Sequence, residues 1–187
     1  MNDLYTLRLT EAWLRSGEID RALVSFYGKL AQGMTRDTYI GGEGSGLRPL
    51  DAGGRPFYLP PNSSANAFFL WTLRHMLVQD FDRDGDGRAD DLILLPAAPR
   101  AWLKDGGRIA VERMPTMFGE ISYEVVSDLA HQRISGRVQL PEGLSAPAAI
   151  RLRLPDGMEL VDGPELLPLP AGRGTWEFSL PTRPRPK

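Results

Sequence analysis

The sequence predicts an α+β chain, with an N-terminal helical part followed by an antiparallel β-sandwich. Three observations lead to this reading. Up to about Val78, apolar residues recur at the three-and-four spacing of helices. Beyond Trp102 the apolar period drops to two. Between these regions lies DFDRDGDGRADD, an acidic run that neither period accommodates. The expected organisation is a helical part over residues 1–79 with a glycine-rich loop at 37–62, a junction at 80–102, the sandwich at 103–181 and a disordered tail at 182–187.

The first helix is read from Leu4, Leu7, Trp13 and Leu14, and it stops at Ser16-Gly17, where glycine accepts a left-handed helix end. A second helix, from Glu18 to Met34, places Ile19, Leu23, Phe26, Tyr27 and Leu30 on one stripe, with Asp20, Arg21 and Lys29 opposite. The two should form an antiparallel hairpin. Hairpins of this kind build tetratricopeptide-like solenoids, but no second copy appears at a period of ~34 residues. Six glycines and four prolines then rule out regular structure between residues 37 and 61. Asn62 or Ser63 should cap a third helix, which is apolar on almost every side from Ala65 to Val78. That helix should be the most buried, with Phe68, Phe69, Leu70, Trp71, Leu73 and Leu77 inside. His75 reads as a surface or satisfied core histidine, because no second histidine or cysteine lies at ligand spacing.

Alternation with polar residues marks half-buried strands at Ile109 and Val111, Ile121 to Val125, Ile134 to Leu140, Ile150 to Leu154 and Trp176 to Leu180. Asp156-Gly157 reads as a hairpin turn, and six to eight such strands indicate a sandwich.

Composition limits the partners. A chain of 187 residues, 42% hydrophobic and 25% charged, has enough apolar material for a packed core. Its net charge of −2 provides no broad cationic surface, so neither nucleic acid nor an anionic membrane is the expected partner. The absence of cysteine excludes disulfides, thiolate metal sites and a cysteine nucleophile, and leaves the compartment open. The start MNDLYTLRLTEAW has no apolar signal region, and no run reaches ~18 apolar residues, so a soluble chain is expected.

Two stretches carry chemistry. Asp82, Asp84, Asp86 and Asp90 form D-x-D-x-D-G-x-x-D. Calcium takes six to eight hard oxygens, and carboxylates at positions 1, 3, 5 and 9, with the position-7 carbonyl from Arg88, can supply them. Position 12 is Ile93 rather than the glutamate of an EF-hand, so the loop looks more like the calcium loops of β-rich repeat proteins; Asp91 is the reserve ligand. Crowded aspartates repel one another without a cation, so Ca2+ in a structural role is expected. In the glycine-rich loop, Glu43 is flanked by glycines, and Arg48, Asp51, Arg55, Tyr58, Asn62 and Asn66 are groups suited to sugar hydroxyls and sugar faces. Arg48, Asp51, Tyr58 and Asn62 are the candidate substrate-binding residues and carbohydrate the expected ligand. A glycosidase needs two carboxylates, which here means Glu43 with Asp37 or Asp51.

The order of helical hairpin, glycine-rich loop, LPPNSSANAFFLW helix, LILLPAAPRAW and strands resembles the C-terminal end of the six-hairpin glycosidases, whose (α/α)6 barrel precedes a small β domain. The segment from Leu94 to Asp128 looks like the point where such proteins leave the barrel. The likeness covers roughly residues 1 to 180 and is one of order and texture. It implies that Glu43 occupies the place comparable to a catalytic acid. It also implies that about three of twelve barrel helices are here, so the chain should not hydrolyse glycosides alone. The bare helical faces should then associate with the remaining hairpins or with a second copy. Two other readings stay open: a non-catalytic calcium-dependent carbohydrate-binding or adhesion module, and a helical protein-interaction module fused to a sandwich.

Overall fold

The computed structural model describes residues 3–46, 56–170 and 174–186. The chain divides into two compact units, residues 1–76 and 77–187. Among the described residues, no helix is long and apolar enough to cross a membrane.

The first unit holds α1 (Asp3–Arg15), α2 (Ile19–Gln32) and α3 (Ser63–Leu77), the last ending at the division. The hairpin of α1 and α2 turns at Gly17, whose φ of 78° lies in the left-handed region. Leu14, Ala22 and Phe26 are buried, and Phe26 stacks on Phe69 of α3 with ring centroids 4.6 Å apart. Two expectations are corrected. Lys29, read as part of the polar face, is fully buried, because its ammonium reaches past the end of α2 to backbone carbonyls. The third helix is two-faced rather than wholly inside. Ala65, Thr72, His75 and Met76 are buried, whereas Leu70 is 63% and Trp71 40% exposed. An apolar sequence on every side cannot choose its buried face, and the neighbours present here cover only one. The glycine-rich stretch is also less irregular than expected, since β1 (Gly44–Ser45) pairs antiparallel with β2 (Phe57–Tyr58).

The second unit holds two sheets. In one, β3 (Val78–Gln79), β4 (Leu92–Leu94), β8 (Ala148–Arg151) and β10 (Leu166–Pro168) lie in the order β10-β8-β4-β3. In the other, β5 (Arg108–Thr116), β6 (Gly119–Asp128), β7 (Arg133–Gln139), β9 (Met158–Leu160) and β11 (Thr175–Pro184) lie in the order β5-β6-β7-β11-β9. Period-two alternation is plain in β6, where Ile121, Tyr123 and Val125 are buried and their neighbours are not. Both sheets feed one apolar core that includes Leu92, Leu94, Ile150, Ile121, Val125, Ile134 and Val138.

Three details depart from expectation. The β4–β8 pairing is parallel, so the strand part is not wholly antiparallel. The turn at Asp156-Gly157 does not close a hairpin: β8 pairs with β4 and β10, while β9 pairs with β11. Leu152 and Leu154, buried in the core, carry the chain from one sheet to the other instead. The tail expected to be disordered from residue 182 continues β11 as far as Pro184, with Thr182 opposite Leu160 and Arg183 opposite Glu159. Thr182 is buried and Arg183 pairs with Glu159 at 2.8 Å, contacts that the basic, proline-rich composition conceals.

Candidate functional site

Glu43 sits where a short turn and a two-stranded ladder meet. The first leaves α2 and closes at a bridge between Met34 and Gly41; Thr35 N–H donates to the Ile40 carbonyl at 3.0 Å and Ile40 N–H to the Thr35 hydroxyl at 2.9 Å. The second is the β1–β2 ladder, to which Glu43 N–H adds a bond to the Tyr58 carbonyl at 3.0 Å. The helices clamp this junction from both sides. Lys29 Nζ donates to the carbonyls of Gly33 at 3.0 Å and Gly42 at 3.3 Å. From α3, Asn66 Oδ1 accepts from Gly41 N–H at 2.7 Å, and Asn62 N–H donates to the Gly41 carbonyl at 2.8 Å. Backbone approaches this closely only without side chains. A Cβ on Gly41 would stand 2.5 Å from Asn66 Oδ1, and one on Gly42 2.7 Å from the Phe57 ring and 2.8 Å from the Tyr58 carbonyl.

The result is a half-buried glutamate on a fixed backbone. Its carboxylate makes no hydrogen bond or ion pair among the described residues, whereas partly buried polar groups ordinarily find partners. Asp37, expected as its companion, is exposed at a positive φ of 64° on the first turn. Tyr58 is 56% exposed, so its ring is available. Asn62 caps α3 by accepting from Ala65 N–H at 2.8 Å, which leaves its amide NH2 for a ligand. Arg48, Asp51 and Arg55 lie outside the described residues. Lys29 is the participant that the sequence reading missed; its place four residues before a helix-ending glycine was the available signal, since lysine there can reach the last carbonyls.

The acidic loop belongs to the second unit and is built differently. Its base is fixed by β3 and β4, by the bond from Asp90 N–H to the Phe81 carbonyl at 3.1 Å, and by buried Asp80, whose carboxylate accepts from Met117 N–H at 2.8 Å. Within the loop the aspartates accept from nearby backbone. Asp82 takes Gly85 and Gly87 N–H at 2.6 and 2.9 Å, Asp84 takes that of Asp86 at 3.1 Å, and Asp86 that of Arg88 at 2.8 Å. Gly85 and Gly87 supply the positive φ values of 82° and 86° that such winding requires. The Gly87 bond, followed by the Gly85 bond, holds the Asp82 carboxyl below its ordinary range.

Asp82, Asp84 and Asp86 each offer an oxygen, all within 4.8 Å of one another, a hard-oxygen cluster able to hold a metal ion. Asp90 is turned elsewhere: its Oδ2 accepts from Arg83 N–H at 2.8 Å, and it is not part of the triad. Asp91, the reserve ligand, is engaged by Arg83 at 3.5 Å. The triad therefore provides three of the six to eight oxygens that calcium takes. These donors suit a hard cation rather than zinc, which favours nitrogen and sulfur.

No family model, curated protein or solved structure matches the chain.

Proposed function

We propose that this chain is the C-terminal portion of a carbohydrate-active, glycoside hydrolase-like enzyme of the six-hairpin type, with Glu43 as its acid or base. The observation behind the reading is the half-buried Glu43 carboxylate, without a partner among the described residues and on a backbone held from α2 and α3. A group positioned by the scaffold and left unpaired suits contact with substrate. Tyr58 beside it offers a face for a sugar ring, and Asn62 an amide for a hydroxyl. On this reading the strand-rich unit is a β-sandwich, and Asp82, Asp84 and Asp86 hold Ca2+ that stiffens the segment between β3 and β4, with the Arg88 carbonyl and Asp90 completing the shell after the loop adjusts. Ca2+ is structural here, since neither Glu43 nor another candidate acid belongs to the aspartate cluster.

The exposed apolar residues of the helical unit, Leu9, Val24, Leu70 and Trp71, suit further hairpins packing against it, so the chain alone binds sugar without turning it over. The test is a Glu43→Gln substitution, assayed on glycosides with those hairpins supplied. Loss of turnover with saccharide binding retained supports the enzyme. Loss of binding alone supports instead a calcium-dependent carbohydrate-binding module, the reading that the aspartate triad favours.

A further inference from the structure

A cleft of about 510 Å3 opens beside the Glu43 junction, lined by Ala31, Gln32, Met34, Thr35, Arg36, Pro56 and Phe57. This volume falls within the usual ~300–1,000 Å3 range of small-ligand sites. Among the described residues, its lining mixes an aromatic ring, a hydroxyl, an amide and one charge, the Arg36 guanidinium, and includes no carboxylate. Phe57 also ties the cleft to Glu43, because its ring packs against Gly42.

The charge is the informative feature. Arg36 makes no side-chain hydrogen bond or ion pair among the described residues, although most arginines of the second unit do, such as Arg100, Arg108, Arg113 and Arg183. Its backbone is not loose. Thr38 N–H donates to the Arg36 carbonyl at 2.8 Å, the Thr35 and Thr38 hydroxyls are 2.5 Å apart, and Asp37 and Tyr39 hold positive φ values of 64° and 53°. Two strained non-glycine residues in one turn cost conformational energy, and such positions concentrate where a surface is shaped for a ligand. Asp37, next in the chain, does not line the cleft.

We propose that this cleft is a saccharide subsite selecting a carboxylate-bearing (uronic) sugar, with Arg36 pairing with the carboxylate and Phe57 lying against the pyranose face. The inference rests on the carbohydrate reading above and narrows it to acidic sugars. An arginine fork matches a carboxylate in two parallel hydrogen bonds, and a sugar lacking that group would forfeit them.

Binding of methyl glucuronide and methyl glucoside to the full chain, measured by saturation-transfer NMR and titration at low salt, tests it. The two ligands share a ring and differ at the carboxylate. The parent should bind the glucuronide more tightly, by up to about fivefold, as an exposed ion pair allows. Arg36→Gln should lower the glucuronide to the glucoside level, and Arg36→Lys should keep part of the preference. Arg36 is exposed and without side-chain partners among the described residues, so both variants should fold like the parent. Equal binding of the two sugars by the parent, or a preference surviving Arg36→Gln, overturns this inference and leaves the carbohydrate reading standing. A parent that binds neither sugar overturns both.

Discussion

The glycine-rich loop and the aspartate-rich loop are both polar, irregular and rich in turn residues, yet they are held in opposite ways. The aspartate loop is largely self-contained: Asp82, Asp84 and Asp86 bond to amides two to five positions along the chain. The described part of the glycine loop is held from outside at Gly41 and Gly42, through Asn66 and Lys29, which lie 25 and 13 positions from the residues they hold. Local bonds need only the right residues in a row. Distant ones need the helices in place first, so that loop should lose its form whenever the helical unit is disturbed.

This contrast also explains what the sequence made legible. The spacing of Asp82, Asp84 and Asp86 announced their convergence, because alternate positions in a glycine-wound turn point to one centre. The strands of the larger sheet were equally plain, since one buried face imposes alternation. Lys29 was misread because amphipathic reasoning assigns lysine to water, and only the fold shows two carbonyls within its reach. The end of β11 was misread for a related reason: Thr182 to Pro184 are retained by β9, a partner of three residues that no composition reveals. Trp71 and Leu70 failed differently, since hydrophobicity says that a side chain prefers burial but not whether a neighbour is available.

Disturbing one anchor of the glycine loop should give the largest effect. Lys29→Met keeps the bulk of the side chain but removes the ammonium from the Gly42 carbonyl and leaves the Gly33 carbonyl only the longer bond from Gly42 N–H at 3.4 Å. An unsatisfied buried group costs about 1–3 kcal/mol, so a loss of about 3 kcal/mol is expected in urea denaturation. A change below ~0.5 kcal/mol would show that water replaces the ammonium and that the loop does not depend on it.

Calcium should act next in size and only on the other loop. At a hundredfold excess over Kd, binding to the folded state alone adds about 2.7 kcal/mol. Chelation should therefore lower the melting temperature of the parent and leave Asp84→Ala unchanged. Equal melting of the parent with calcium and with chelator would remove the metal from the account.

Glycine substitutions sharpen the comparison within a single residue type. Gly42→Ala drives a methyl against the Phe57 ring and the Tyr58 carbonyl, and such overpacking costs about 1–3 kcal/mol. Gly85→Ala meets nothing within 4 Å and pays only for its left-handed φ, about 1 kcal/mol. Thermal melts in chelator should rank Gly42→Ala as the more damaging, and the reverse order would mean that the glycine loop yields and the aspartate loop does not.

The smallest expected effect is electrostatic and concerns Asp82. Its carboxyl lies below its ordinary value of 3.8, chiefly because Gly87 N–H and then Gly85 N–H bond to the ionised form. Folding thus favours the carboxylate, and the associated stability is fully present above pH 3.8. It is lost as pH falls below that value through the depressed one, because the unfolded chain takes up the proton first. The group is solvent-exposed, so the effect should be slight and weakened by salt. In chelator, Asp82→Asn should flatten the stability profile below about pH 4 relative to the parent and leave the neutral region little changed. Bound calcium should amplify the same dependence, since protonation of the triad competes with the ion. An acid limb identical in Asp82→Asn and parent, with calcium or with chelator, would mean that the turn is held by backbone geometry at Gly85 and Gly87 and that its first carboxylate contributes nothing.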